Sequence, residues 1–334
     1  MKTTVFAATP ALRREWLLLA IVAAIALAVG ARAPVFLSWR NALDIANDSS
    51  ILAILVMGQM LVLLTRGVDL SVASNLALTG MMCALAGRAW PSLGIVPLLL
   101  ACSVGALLGA LNGVLIVRFG LPAIVVTLGT LSAYRGAIFV ASRGAWISDQ
   151  DIHPLIKGLP RETLLGLPSL VWFAAAVVAL AALLLRWRRE GRELYAYGGN
   201  PSAALYAGIP VQRRLMMVYT LSGLLAGLSG LLWVGRYSIA FTELAAGYEL
   251  TVIAACVIGG VSIGGGIGSV SGAVLGVLFI GVVNGALPVI QVSPFWQQAI
   301  AGAVILISVV LNARSERTTG RQILEHDALP KVAA

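Results

Sequence analysis

Long apolar runs broken by short polar intervals dominate this sequence. Stretches of about 20 nearly charge-free residues recur, each able to cross a hydrocarbon core of about 30 Å as a helix. They predict helices over roughly 16–36, 48–65, 69–87, 93–117, 121–142, 167–187, 213–235, 247–263, 269–287 and 295–312. The expected fold class is an all-α integral membrane protein of about ten transmembrane helices. The first run imitates a secretory signal, with basic residues ahead of Trp16–Val29 and a cleavage-like Ala31-Arg32-Ala33. Pro34 and the spans that follow favour an uncleaved anchor.

One polar interval is long, Arg186–Arg214. Arg186, Arg188, Arg189 and Arg192 open it, and Arg213 and Arg214 close it. Its punctuation predicts a short helix over Pro201–Ala207: Asn200 suits the N-cap, Pro201 the first helical position, Gly208 the left-handed residue past the end, and Pro210 bars continuation. Such a helix is about 10 Å long and must dock on something to hold its shape.

Composition agrees with a membrane chain: 59% of the 334 residues are hydrophobic and 11% charged. The net charge of +9 is dispersed at span ends rather than clustered, a membrane pattern and not a nucleic-acid surface. With the N-terminus inside, the inner segments carry Lys2, Arg13, Arg14, Arg66, Arg118, the arginines of the long loop, Arg314, Arg317, Arg321 and Lys331. The outer ones carry fewer: Arg32, Arg40, Arg88, Arg143, Lys157, Arg161 and Arg236. This excess places both termini and the 186–214 loop in the cytoplasm. Cys83, Cys102 and Cys256 fall within apolar spans and read as packing residues.

Two motif pairs recur in order. Gly67-Val68-Asp69-Leu70-Ser71-Val72 returns as Gly247-Tyr248-Glu249-Leu250-Thr251-Val252, and Asn112-Gly113 followed by Pro122 returns as Asn284-Gly285 followed by Pro294. The copies lie an odd number of spans apart and so cross in opposite senses, an inverted-topology repeat with halves at about 48–142 and 213–312. Glycines at every fourth position, Gly105/Gly109/Gly113, Gly223/Gly227 and Gly264/Gly268/Gly272/Gly276, predict close helix contacts. Gly259–Gly268 lacks dinucleotide-loop spacing and follows no strand; it reads as a tight turn between spans.

Three charges fall within or beside spans: Asp69, Arg135 and Glu249. A charge at mid-bilayer costs about 2.5–3.5 kcal/mol on insertion scales, so none should face lipid. The two carboxylates read either as helix N-terminal caps or as proton-relay groups. Arg135 is expected to pair with Glu243 or Glu249. Gln59, Asn75, Asn112, Thr127, Thr130 and Asn284 are candidates to line a path and bond hydroxyls, or to bond between helices.

No Gly-x-x-x-x-Gly-Lys-Ser/Thr loop is present, so ATP is not bound by that route. His153 and His326 stand apart from any Cys/Asp/Glu cluster with metal spacing, and no Ser/His/Asp set can meet. No catalytic residue, metal or cofactor is assigned.

Four blocks in order carry a resemblance: GVDLSVASNLAL (67–78), NGVLIVRFGLPAIVVTLGTLSAYRG (112–136), GRELYAYGGNPSAALYAGI (191–209) and GYELTVIAACVIGGVSIGGG (247–266). Over nearly its whole length the chain resembles the permease subunits of bacterial sugar ABC importers, of the ribose/xylose/galactose type. The resemblance implies one transmembrane permease domain over 1–334 in the bacterial inner membrane. It also implies a second permease copy or a related permease, cytoplasmic ABC ATPase subunits and an extracytoplasmic sugar-binding protein. In that family the segment matching 191–209 contacts the ATPase, which nominates Gly191, Arg192, Tyr197, Gly198, Gly199, Asn200, Pro201, Ala204, Gly208 and Ile209. Ala73–Leu78 and Ser293-Pro294-Phe295-Trp296 look closest to rhamnose permeases, with autoinducer-2 permeases next. The rival expectations are a proton-coupled secondary transporter using Asp69 and Glu249, and a membrane scaffold for a soluble enzyme.

Overall fold

The apolar runs become helices in the computed structural model, which describes residues 10–90, 94–293, 296, 298–300, 302–303 and 306. The helices are α1 (Pro10–Arg32), α2 (Trp39–Leu64), α3 (Val72–Ala89), α4 (Val96–Phe119), α5 (Ala123–Ser142), α6 (Pro154–Arg161) and α7 (Ser169–Trp187), then α8 (Arg189–Gly199), α9 (Pro201–Tyr206), α10 (Val211–Tyr237), α11 (Tyr248–Ile258) and α12 (Val270–Val289). A two-residue-per-strand hairpin, β1 (Thr163–Leu164) and β2 (Leu167–Pro168), precedes α7. Seven helices are long and apolar enough to cross a membrane: α1, with its window at Arg14–Arg32, α2, α4, α5, α7, α10 and α12. The predicted span at 295–312 lies largely outside the described residues.

α2 and α10 form the centre. Ser38 caps α2 by accepting from the Asn41 N–H, and beyond it the helix is buried continuously from Ser49 to Leu64. Six of the glycines at every fourth position make the expected close contacts, whereas Gly264 and Gly268 lie in the turn before α12. Gly105 and Gly109 of α4 lie against Gly223 and Gly227 of α10 so closely that a Cβ on any of them would overlap the facing backbone. Gly272 and Gly276 of α12 pack in the same way on Gly259 and Ala255.

Three breaks shape the bundle. The α2–α3 link turns at Arg66, whose φ is 63°. The α10–α11 link runs without helix over 238–247. The predicted span 247–263 is helical only as the 11 residues of α11, after which Gly260, Gly265 and Gly266, at φ of 91°, 85° and 69°, turn the chain into α12. The tight turn expected at Gly259–Gly268 is present; the predicted span runs too long because Val261 and Ile263 carry the apolar run past the helix end. Of the repeated motifs, 67–71 lies outside helix and leads into α3, whereas its copy at 248–252 is the first part of α11; Asn112-Gly113 lies in α4 and Asn284-Gly285 in α12.

Candidate functional site

The 186–214 interval contains two helices, not one. The sequence reading missed α8, although Gly191, Leu194 and Gly198 recur at helical spacing and are all buried. α8 is braced from several sides. Gly191 lies on Leu184 and Leu185 of α7, and Gly198 on Leu64 and Gly266, each too close to admit a Cβ. The Tyr195 hydroxyl donates to the Gly268 carbonyl at 2.9 Å. Arg66 donates from Nε to the Gly198 carbonyl at 2.7 Å and from Nη2 to the Gly199 carbonyl at 3.0 Å. These are orphan carbonyls at a helix C-terminus, where a cation is favoured.

Glu193 ties α8 to its neighbours. It pairs with Arg189 at 2.7 Å and with Arg214 at the start of α10. Burial works against its charge, but hydrogen bonds and charges from Arg214 and Arg189 outweigh that and hold the carboxyl below its ordinary value of 4.5.

α9 follows its punctuation closely. Asn200 Oδ1 accepts from the Ala203 N–H at 3.0 Å, and Gly208 takes a φ of 73°. The Ile209 N–H returns to the Ala204 carbonyl and the Gly208 N–H to that of Leu205, the paired bonds of a Schellman ending. Leu205, 61% exposed, and Tyr206, 94% exposed, project from this braced turn. Neither was nominated from sequence, though two large side chains closing a capped helix in a polar loop was the available signal. Among the nominated residues Gly191, Gly198 and Ala204 are buried, and Tyr197, Pro201 and Ile209 half-buried. Arg192, Gly199, Asn200 and Gly208 are exposed.

The polar candidates inside the bundle converge on the segment that leads from Arg66 into α3. Asp69, 2% exposed, accepts at Oδ1 from the Ser71 N–H at 2.9 Å and hydroxyl at 2.6 Å, and at Oδ2 from Ser222 of α10 at 3.3 Å. Asn112 of α4 donates to the Ser71 hydroxyl at 2.8 Å, and Thr127 of α5 to the Val68 carbonyl at 3.1 Å. In the amide orientation that satisfies both groups, Gln59 of α2 bonds the backbone N–H and carbonyl of Asp69. Asn75 donates to the Gly105 and Gly223 carbonyls at the glycine seam. Thr130 bonds only its own helix, at the Val126 and Thr127 carbonyls. Asn284 is half-buried, and its Oδ1 has no partner.

Arg135 departs from expectation. Its Nη1 donates to the Thr242 carbonyl at 3.2 Å and the Leu244 carbonyl at 2.6 Å, and the ion pairs among the described residues do not include it. Backbone carbonyls of the unwound α10–α11 link, left without helical partners, replace Glu243 and Glu249 as its acceptors. Glu249 sits in the first turn of α11, half-buried. The same link is fastened to the α5–α6 loop by the Ile147–Ala240 bridge and by Trp146 against Phe241, ring centroids 5.2 Å apart.

The geometry is thus a bundle of apolar helices with a buried polar cluster and a short capped helix projecting from the 186–214 interval. A family model for the permease component of branched-chain amino acid transport systems matches residues 41–309. The chain is 36% identical over 288 residues to the autoinducer 2 import system permease protein LsrC of Enterobacter sp. (strain 638), covering 86% of this chain and 83% of that protein. It is 36% identical over 305 residues to the ribose import permease protein RbsC of Escherichia coli (strain K12), covering 90% and 93%. To the galactose/methyl galactoside import permease protein MglC of the same strain it is 33% identical over 296 residues, covering 84% and 88%. No solved structure matches it. The chain belongs to this family of bacterial ABC-importer permeases and is a multi-pass protein of the inner membrane.

Proposed function

We propose that this chain is the membrane-spanning subunit of an importer that moves a monosaccharide into the cytoplasm by alternating access, powered by ATP hydrolysis on separate subunits. One observation carries this reading: Leu205 and Tyr206 stand exposed on a short helix capped at both ends, which follows directly on α8, itself braced by Arg66 and Glu193. Rigid display of large side chains outside the bundle suits a seat for a cytoplasmic ATPase, since a pre-ordered contact transmits displacement. An extracytoplasmic sugar-binding protein and a second permease copy, or a related permease, complete the assembly. The same reading has about ten crossings, both termini in the cytoplasm and two halves of inverted sense.

Of the six path candidates, Gln59, Asn75, Asn112 and Thr127 already have backbone or side-chain partners within the packed core. The sugar path on this reading runs at the margin of the bundle, where copies meet; Asn75, Asn112 and Asn284 each have an Oδ1 unpartnered among the described residues, but Asn75 and Asn112 are fully buried and Asn284 only half-buried. A rhamnose-like sugar is favoured, on the resemblance alone. Ala73 and Leu76, which help carry that resemblance, are fully buried and cannot touch a sugar in this conformation, and Pro294 and Phe295 lie outside the described residues.

The test is Asn200→Leu with Gly208→Leu, alongside Tyr206→Asp. Each should lower sugar uptake and uncouple ATPase activity from transport about tenfold or more, with membrane insertion unchanged; normal coupling would remove α9 from the mechanism. Competing uptake of labelled rhamnose, ribose and galactose in cells with and without the gene ranks the sugars. A second reading rests on Asp69, a buried carboxylate outside every ion pair of the described residues: a proton-coupled transporter with Asp69 and Glu249 as relay groups. It requires uptake by the lone subunit in vesicles under an imposed proton gradient.

A further inference from the structure

The hairpin ahead of α7 has the wrong residues for a water-exposed turn. Its strands pair Thr163 with Pro168 and Leu164 with Leu167, leaving the two-residue loop Leu165-Gly166. Both loop residues take positive φ, 54° and 78°, as a type I′ turn requires. Asn-Gly or Asp-Gly meets that demand with least strain, whereas a bulky non-glycine residue there is an outlier. Leu165 is nevertheless 83% exposed and its neighbour Leu164 57%. The sequence has accepted backbone strain to hold leucine at the tip.

The tip continues an apolar surface. The Trp172 indole N–H donates to the Leu164 carbonyl at 3.0 Å, seating the hairpin on α7. From Trp172 an exposed stripe descends the helix at successive turns through Ala176, Leu180 and Leu183 to Trp187, where arginines begin. Tryptophan at each end of an exposed apolar stripe is how a membrane span marks its two interfaces. Leu164 and Leu165 therefore lie at the lipid-facing edge of the bundle, level with one aromatic boundary, and nothing among the described residues covers them.

We propose that the Leu164-Leu165 tip is an interfacial anchor, inserted at the headgroup–acyl boundary of the leaflet opposite α8 and α9. It pins that end of α7 and, through Ser169 bonded to the Leu159 carbonyl, fixes the height of α6 above the membrane. The occupant is lipid and not a docking protein, because the tip continues the lipid face of α7. The inference requires only that α7 spans the membrane, so it stands or falls independently of the ATPase seat.

The experiment places the environment-sensitive fluorophore NBD on Leu165→Cys, in a background with Cys83, Cys102 and Cys256 replaced by alanine, reconstituted in phosphatidylcholine vesicles. Quenching by 5-doxyl lipid should exceed both that by 12-doxyl lipid and that by aqueous iodide by about twofold or more. Dominant iodide quenching, or protection from both lipid and aqueous quenchers, would overturn the proposal, the first meaning a tip in water and the second a tip covered by protein. With NBD moved to Leu164→Cys, adding Leu165→Asn should leave thermal stability in detergent equal or higher while cutting 5-doxyl quenching at least twofold. Unchanged quenching there would also count against insertion.

Discussion

At the scale of single residues, arginine on orphan carbonyls recurs at two breaks in the bundle. Arg66 holds the last carbonyls of α8, and Arg135 holds two carbonyls of the α10–α11 link. Charge-assisted bonds of this kind are stronger than neutral ones, and partial exposure reduces Arg66 to on the order of 1–2 kcal/mol. Arg66→Ala should therefore raise amide exchange across 198–206 about tenfold and lower the sugar moved per ATP, with expression retained; unchanged exchange would show that the remaining braces suffice. Glu193 adds a pH dependence. Its folded-state value lies below 4.5, so its contribution is fully present above the ordinary glutamate value and is lost as pH falls through the lower folded one. Glu193→Gln should remove that acid-side loss of α8 protection and leave neutral-pH protection lower than wild type. The caps Asn200 and Gly208 were legible because capping is local chemistry. The carbonyl partners of Arg66 and Arg135 were not, because a backbone acceptor distant in sequence leaves no mark on residue type.

Between elements, glycine fixes the α4–α10 distance. A leucine at Gly109 would meet the Tyr219 carbonyl and the Gly223 backbone, neither of which can swing aside as a side chain can. Gly109→Leu should cost about 1–3 kcal/mol or split the pair outright, read as a lower melting temperature in detergent. Gly129→Ala, on α5 where a Cβ meets nothing within 4 Å, is the control and should melt at or above the wild-type temperature. This seam was legible because the four-residue period selects a face. The tight turn at Gly259–Gly268 was legible from its glycines, but the end of α11 at Ile258 was not, since Val261 and Ile263 extend the apolar run to the expected 263. The helicity of α8 was obscured by its arginines, whose charge marks a loop in a membrane sequence even when the opposite face is buried.

For the molecule as a whole, the proposed assembly allows transport either through the core of one chain or along a surface between two permeases. The α10–α11 link is bound to α5 and its following loop three times, by Arg135, by the Ile147–Ala240 bridge and by the Trp146–Phe241 contact. At the opposite end α8 is clasped between the α2–α3 link and the turn before α12, with the Gly266 N–H on the Leu64 carbonyl and Arg66 on Gly198. Between these ends Asp69, Ser71, Asn112, Thr127, Ser222 and Gln59 are tied together by hydrogen bonds, while the Oδ1 atoms of Asn75 and Asn112 and the Tyr219 hydroxyl stand buried without partners among the described residues. A path through this cluster would break the bonds that do hold it, at about 1–3 kcal/mol for each buried group left unpaired, while a path along the outer surface leaves them intact. Ile147 and Ala240 exchange both backbone bonds, at 2.9 and 3.0 Å, and so form a hydrogen-bonded antiparallel pair. Such a pair has a Cα separation of about 5.5 Å, within the reach of a disulfide. Ile147→Cys with Ala240→Cys, in a background lacking the native cysteines, should oxidise readily and leave uptake within about twofold of the reduced protein. Arrest of uptake on oxidation, restored by reductant, would instead route the sugar between the two halves of a single chain and make the buried polar cluster part of its path.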